Sequence, residues 1–259
     1  MPIELIDSHC HLDMEPFDGD RDDCIARASK AGVTKLITIG TGSGLHGARR
    51  AIALAEKYPN VWASVGIHPH SSGEAFDRAE LETLARHPKV VAIGETGLDF
   101  FRDWAPVDKQ RAVFREQIAL ARLVSKPLII HCREAGQECL QTLLEHKAAD
   151  VGGVFHCFSE DAVFAKKLRT IGFLVSFPGQ ITFKNAGLVR DTCRDIPLEQ
   201  MLVETDSPFL APEPQRGKRC EPAFVVHTAH KIAEVKGLSF EEVAAITTRN
   251  TLTLFSTMR

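Results

Sequence analysis

Four histidines and two acids stand out by type and position: His9, His11, Glu95, His131, His156 and Asp206. Each closes or follows a short apolar run, as in Ile6-Asp7-Ser8-His9-Cys10-His11, Pro127 to Cys132 and Met201 to Asp206. In an extended segment alternate residues share a face, so His9 and His11 point the same way. Alone, each has an ordinary role. A histidine at a strand end is commonly a hydrogen-bonded rim residue, Glu95 could be half of a salt bridge, and Asp206 before Ser207-Pro208 could hold a turn. Six such groups facing one closed space are another matter, because burying them unpaired is costly. Imidazole and carboxylate without thiolate suit Mg²⁺, Mn²⁺ or Zn²⁺. Six ligands exceed one tetrahedral site, which points to two divalent cations sharing a carboxylate.

The elements that would bring these residues together are legible as eight apolar, β-branched runs. They are 4–7, 35–40, 61–68, 90–95, 127–132, 152–157, 172–177 and 201–206. Runs of this kind suit strands buried on both faces, as in parallel sheets. Helix-period segments lie between them. Val107, Gln110, Phe114, Ile118 and Ala121 recur at steps of three or four, with Pro106 placed to open the helix. Leu45, Ala48, Ile52 and Ala55 repeat the pattern, as do Leu140, Leu143 and Leu144. Strand centres recur every roughly 20 to 36 residues, the length of a βα unit. The expected fold is α/β, a closed (β/α)8 TIM barrel, with an open doubly wound sheet as the weaker alternative. Residues at the C-terminal ends of barrel strands are where barrel enzymes build their sites. After the last strand comes a proline-rich loop, 208–222, then two helices, the second announced by the capping box Ser239-Phe240-Glu241-Glu242. Without a linker, repeat or low-complexity tract, residues 1–259 read as one domain.

Composition narrows the class further. Lys and Arg total 31 against 34 Asp and Glu, a net charge of −3, which argues against a broadly basic nucleic-acid coat but not against a local positive site. The 44% hydrophobic content matches a globular chain with a large core. Seven scattered cysteines without a CxxC pair read as reduced thiols. No secretory signal and no apolar run of about 18 residues is visible, so a soluble cytoplasmic protein without membrane contact is expected. No aromatic ladder for a long single strand is visible either, which favours a short footprint.

Several motifs then occur in order: Ile6 to Asp13 (IDSHCHLD), Gly66 to His70 (GIHPH), Gly94 to Asp99 (GETGLD), His131 to Ala135 (HCREA), Phe155 to Phe158 (FHCF) and Glu204 to Pro212 (ETDSPFLAP). This set resembles the TatD family of metal-dependent hydrolases, within the amidohydrolase-like barrels, over nearly the whole chain. The resemblance implies that His9, His11 and Asp206 hold one metal, that His131 and His156 hold the second, and that Glu95 bridges them. It implies a catalytic set of Asp206, as general base, with Glu95 and His68. It also implies a phosphodiesterase in which a metal-activated water attacks phosphorus, acting as a 3′–5′ exodeoxyribonuclease on single-stranded DNA ends or on RNA. The alternative is cleavage of an ester or amide such as D-aminoacyl-tRNA on the same centre. His68 and Arg133 are candidate phosphate contacts, the rival roles being a supporting hydrogen bond for His68 and a structural pairing with Glu134 or another acid for Arg133. Arg216 and Lys218, with Arg219 beside them, lie in the loop after strand eight, where barrels of this class often bind phosphate. The role of Glu204 is open, and Cys10, Cys132 and Cys157 are expected to pack rather than ligate.

Overall fold

A computed structural model describes residues 4–42 and 44–258. Eight strands form one sheet: β1 (Leu5–Cys10), β2 (Val33–Gly40), β3 (Val61–Val65), β4 (Val90–Asp99), β5 (Leu128–Arg133), β6 (Gly153–Phe155), β7 (Phe173–Phe177) and β8 (Met201–Val203). Their spatial order is their chain order, and neighbouring strands pair in parallel throughout. Beyond β8 the chain keeps running beside β1. Asp206 N–H donates to His9 O at 2.9 Å and His11 N–H to Ser207 O at 2.7 Å, which draws the two edges together at the C-terminal end. The architecture is the expected (β/α)8 barrel.

One helix follows each strand: α1 (Arg21–Lys30), α2 (His46–Lys57), α3 (Arg78–Ala85), α4 (Val107–Val124), α5 (Gly136–Glu145), α6 (Ala162–Thr170), α7 (Gly187–Asp195) and α8 (Val225–Lys236). A ninth, α9 (Phe240–Leu254), starts at the capping box, where Ser239 Oγ accepts from Glu242 N–H and the Glu242 carboxylate accepts from Ser239 N–H. Pro106 opens α4 as its sequence position suggests. No helix among the described residues is long and apolar enough to cross a membrane.

Strand alternation divides the apolar residues into two sets. Leu36, Val61, Ala63, Leu128, Ile130, Val175 and Met201 join the helices in the outer core. Ile6, Ile37, Ile39, Val91, Ile129, Val154 and Leu202 meet inside the barrel, with Phe255 and Met258 from the end of the chain packed against them. The inner set therefore fills the N-terminal half of the barrel. In two strands the alternation is then broken. Pairing of β1 with β2 shifts between Asp7 and Cys10, and pairing of β4 with β5 shifts between Ile93 and Thr96. An irregularity of this kind changes which face the following residues occupy. Ile6 is inward and Cys10 is in the outer core, so His9 and His11 take the inward face above the shift. Glu95 is turned inward the same way, above an outward Ile93.

Several strand ends differ from the sequence reading. β3, β6 and β8 stop at Val65, Phe155 and Val203, so His68, His156 and Asp206 stand on the loops just beyond them. Conversely β4 continues four residues past Glu95 to Asp99. Gly97 permits this with a φ of +141°, and a Cβ there would lie 2.0 Å from His131 O. Only glycine lets β4 approach β5 that closely.

Candidate metal centre

Glu95 is the hub. Its side chain is buried, and its two oxygens face different groups. Oε2 lies 3.5 Å from His9 Nε2 and 4.0 Å from His11 Nε2. Oε1 lies 2.7 Å from His156 Nε2, 2.9 Å from His131 Nδ1 and 3.3 Å from His68 Nε2. On the first side stands Asp206, with Oδ1 3.3 Å from His11 Nε2 and 3.6 Å from His9 Nε2. The ligand atoms of His9, His11 and Asp206 lie within 4.8 Å of one another, as do those of His9, Glu95 and His156. All six residues singled out in the sequence are thus brought to one place.

Local backbone aims them. Asp206 adopts a φ of +55°, a conformation short polar residues tolerate better than most. The hydrogen bond to His9 O and the one that Phe209 N–H donates to Asp206 O, at 2.9 Å each, hold it there. Below it the buried Asp7 carboxyl accepts from Thr205 N–H (2.9 Å) and Thr205 Oγ1 (2.6 Å), fixing the exit of β8 against β1. Burial pushes Asp7 up to about 8, against the lowering effect of the Thr205 bonds.

The supporting shell contains two acids whose roles the sequence reading did not assign. Glu204 Oε1 accepts from Cys157 N–H at 2.6 Å and lies 3.6 Å from His156 Nδ1, and its other oxygen accepts from Ser176 Oγ. Asp99 Oδ2 faces His131 Nε2 at 2.9 Å and His70 Nε2 at 2.8 Å. A carboxylate behind a ligating imidazole fixes its orientation and raises its basicity. Glu204 stands in that position for His156, and Asp99 for His131. The signal for Asp99 lay in the sequence, within the GETGLD run, but taking Glu95 as the end of the strand left its direction undetermined.

The electrostatics are those of a cation site. Burial opposes charge on every group, yet Glu95 is held well below its ordinary value by His156, His68 and its hydrogen bonds to His131 and His156. Asp206 is lowered by His11 and His9. Against burial, the Asp206 hydrogen bond and charge push His11 up to about 9, and Glu95 with Glu204 and Asp99 raise His156 and His131. Burial and the charge of His156 lower His9 instead. The carboxylates thus favour positive charge on the histidines around them, and the histidines favour ionised carboxylates. Even so, His9 Nδ1 and Nε2, His11 Nδ1 and His156 Nδ1 are buried without a hydrogen-bond partner. Orphaned nitrogens of this kind cost roughly 1–3 kcal/mol each. Histidines and carboxylates so arranged fit divalent cations, and of the unpartnered nitrogens His9 Nε2 is the one aimed at Glu95 and Asp206, where a cation would use its lone pair.

The remaining candidates separate. His68 Nδ1 accepts from His70 N–H at 3.1 Å, so its proton is on Nε2, directed at Glu95 Oε1. Burial lowers it to about 4, and it is a neutral donor that steadies Glu95. Arg133 is not paired with Glu134. Its guanidinium lies 3.9 Å from the centre of the Phe101 ring, at the mouth. Arg216 packs over Phe183 and Lys218 donates to Gln215 Oε1 at 2.8 Å, and among the described residues neither bonds to the histidine–carboxylate cluster. Arg219 is committed to structure, bound to Pro16 O and the Asp20 carboxylate. Phe209, half exposed, has its ring 6.1 Å from that of His11.

Comparison with known proteins accounts for the arrangement. The model of the family described as TatD related DNase matches residues 6–256. An uncharacterized metal-dependent hydrolase of Bacillus subtilis, YabD, is 42% identical over 253 residues, covering 97% of this chain and 98% of that one. A Salmonella typhimurium protein named 3′-5′ ssDNA/RNA exonuclease TatD is 34% identical over 258 residues, covering 97% of this chain and 98% of that one. The solved structure of the Escherichia coli TatD homolog YjjV superposes with a TM-score of 0.89 at 30% identity, over 99% of both chains. With the family model spanning the barrel from the first motif to the last helix, this chain belongs to the TatD family of metal-dependent hydrolases.

Proposed function

We propose that this chain hydrolyses phosphodiester bonds at the 3′ end of single-stranded DNA, with RNA as a second substrate. One observation carries the reading: each oxygen of the buried Glu95 serves a different histidine group, the arrangement a shared carboxylate needs between two cations. His9, His11 and Asp206 would hold one ion, His131 and His156 the other, with Glu95 common to both. Two such ions supply charge stabilisation for a transferring phosphoryl group and make water a nucleophile near neutral pH. The name of the Salmonella relative supports the choice of substrate.

The chain's own residues do the rest. Asp206 is ionised, and its side chain, 14% exposed, is more open than His9 or His11. It is placed to take the proton of the attacking water. His68, kept neutral, donates to Glu95 and holds the shared carboxylate in place. Arg133 can clamp the phosphate oxygens with two parallel hydrogen bonds, and the basic loop with Arg216 and Lys218 offers weaker, longer-range attraction.

The test uses single-stranded DNA labelled at either end, with Mg²⁺ or Mn²⁺. Stepwise loss from the 3′ end, abolished by chelator and restored by metal, is the expected result. Continued cleavage in excess chelator, equal cleavage of a covalently closed circle, or turnover of acyl esters alone would overturn the reading.

A further inference from the structure

The long strand β4 delivers a loop, residues 100–105, to the mouth of the centre, and that loop carries two exposed aromatic rings. Trp104 is 64% exposed and Phe101 48% exposed. Solvating rings of that size is unfavourable, and such a patch ordinarily marks a contact surface. Three features say what it contacts. First, the patch is continuous with the centre. The Trp104 ring packs 4.4 Å from His70, whose ring is 5.8 Å from that of His131. Second, its position is fixed by the same acid that orients His131. Asp99 Oδ1 accepts from Phe101 N–H and Arg102 N–H at 3.0 Å each, while Oδ2 faces His70 and His131. Gln110 closes the loop, donating to Asp99 O and Ala105 O at 3.1 and 3.0 Å. Third, two guanidinium groups lie against the rings, with Asp103 the one acid in the same loop. The Arg102 guanidinium lies 5.1 and 5.2 Å from the Phe101 and Trp104 ring centres, and Arg133 covers one face of Phe101. Among the described residues neither arginine has a carboxylate partner, so both are available to phosphate.

Flat rings interleaved with unpaired guanidinium groups bind bases by stacking and their phosphates by charge, without regard to sequence. We propose that Trp104 and Phe101 form a nucleobase platform for a single-stranded polynucleotide, with Arg102 and Arg133 gripping its backbone. The platform rests on the phosphodiesterase reading and adds a requirement to it: the strand must present an unpaired base beside the bond to be cut. A base held in a duplex has both faces covered and cannot stack there, so the platform selects single strands or frayed ends. A patch of two rings also fits a footprint of one or two nucleotides.

The chain's two tryptophans make the test direct. Trp62 lies under Lys89 on β3, so Trp62→Phe leaves Trp104 as the reporter. Oligothymidylate in the presence of Ca²⁺ should quench its fluorescence, and the same sugar–phosphate backbone without bases should not. Trp104→Ala should weaken oligothymidylate binding by roughly 5- to 100-fold, abolish the preference over the abasic strand and raise KM rather than lower kcat. Trp104→Phe should recover most of the affinity. Leu123→Ala, at an exposed apolar position on α4, is the control and should leave it unchanged. Equal quenching by both strands, or unaltered affinity and KM in Trp104→Ala while the wild type degrades oligothymidylate, would remove the platform and leave the nuclease reading standing. A wild type that neither binds nor cuts either strand would remove both.

Discussion

The two halves of the barrel interior are made by the same eight strands a few residues apart, and they are built on opposite principles. In the N-terminal half Ile6, Ile37, Ile39, Val91, Ile129, Val154 and Leu202 pack against one another, and Phe255 and Met258 close the floor. In the C-terminal half the same space holds five imidazoles and the Asp206 carboxylate around Glu95, with four buried ring nitrogens unpartnered. Burial of the apolar half stabilises the fold directly, at roughly 25 cal/mol per Å². Burial of the polar half opposes folding until cations satisfy it. Stability and chemistry are therefore set at different ends, and substitutions at the two ends should separate them.

The largest effect is expected at the mouth. Asp206→Asn keeps the side-chain volume but removes the charge and the proton acceptor, so turnover should fall on the order of 10²- to 10⁴-fold at saturating metal. Circular dichroism should show an intact fold. Near-normal turnover would reduce Asp206 to a turn residue. The floor should behave in reverse. Phe255→Ala opens a cavity among fully buried residues and should cost about 3–5 kcal/mol in denaturant unfolding. Turnover per folded molecule, measured well below the unfolding midpoint, should stay close to wild type. If both variants lost stability and turnover together, the separation of the two halves would be wrong.

Metal should act on stability through the mouth alone. Mn²⁺ at about 100 times its Kd should raise the unfolding free energy by about 2.7 kcal/mol. The gain should disappear in Glu95→Gln and survive in Phe255→Ala. A smaller, metal-independent effect belongs to the floor. Lys126 donates to Ala85 O and His87 O, and burial, with the Arg86 charge, lowers it from 10.5 to about 8. Between those values the unfolded chain binds the proton and the folded chain does not, so stability rises with pH across that window. The penalty is complete below about 8 and gone above 10.5. Lys126 is only half buried, so about 1 kcal/mol is expected after allowance for solvent screening. Chemical unfolding of Lys126→Met between pH 7.5 and 10.5 should lack that rise, and identical slopes in both proteins would contradict the assignment.

The floor was more legible in the sequence than the mouth. Eight apolar runs at βα spacing give the barrel, and the helix period of α4 is visible down to its opening Pro106, because a regular repeat writes a regular pattern. The six polar residues at the run ends were legible as a group for the same reason. What the sequence hid depends on departures from regularity. The shifts in β1 and β4 that turn His9 and Glu95 inward leave no periodic trace. Gly97 reads as a strand terminator until β5 is seen to lie against it, and with it goes the direction of Asp99. Trp104 and Phe101 sit in a loop, where only the tertiary structure decides what they overhang. In the basic loop charge alone does not separate Arg219, which ties the loop to Asp20 and Pro16, from Arg216 and Lys218.

The shared use of Glu95 is the claim on which the rest depends. Anomalous scattering from crystals soaked in Mn²⁺ tests it most directly. The account predicts two ions roughly 3.5–4 Å apart, one beside His9, His11 and Asp206, the other beside His131 and His156, each touching a different oxygen of Glu95. A single ion at full soaking concentration, or two ions of which only one contacts Glu95, would contradict it.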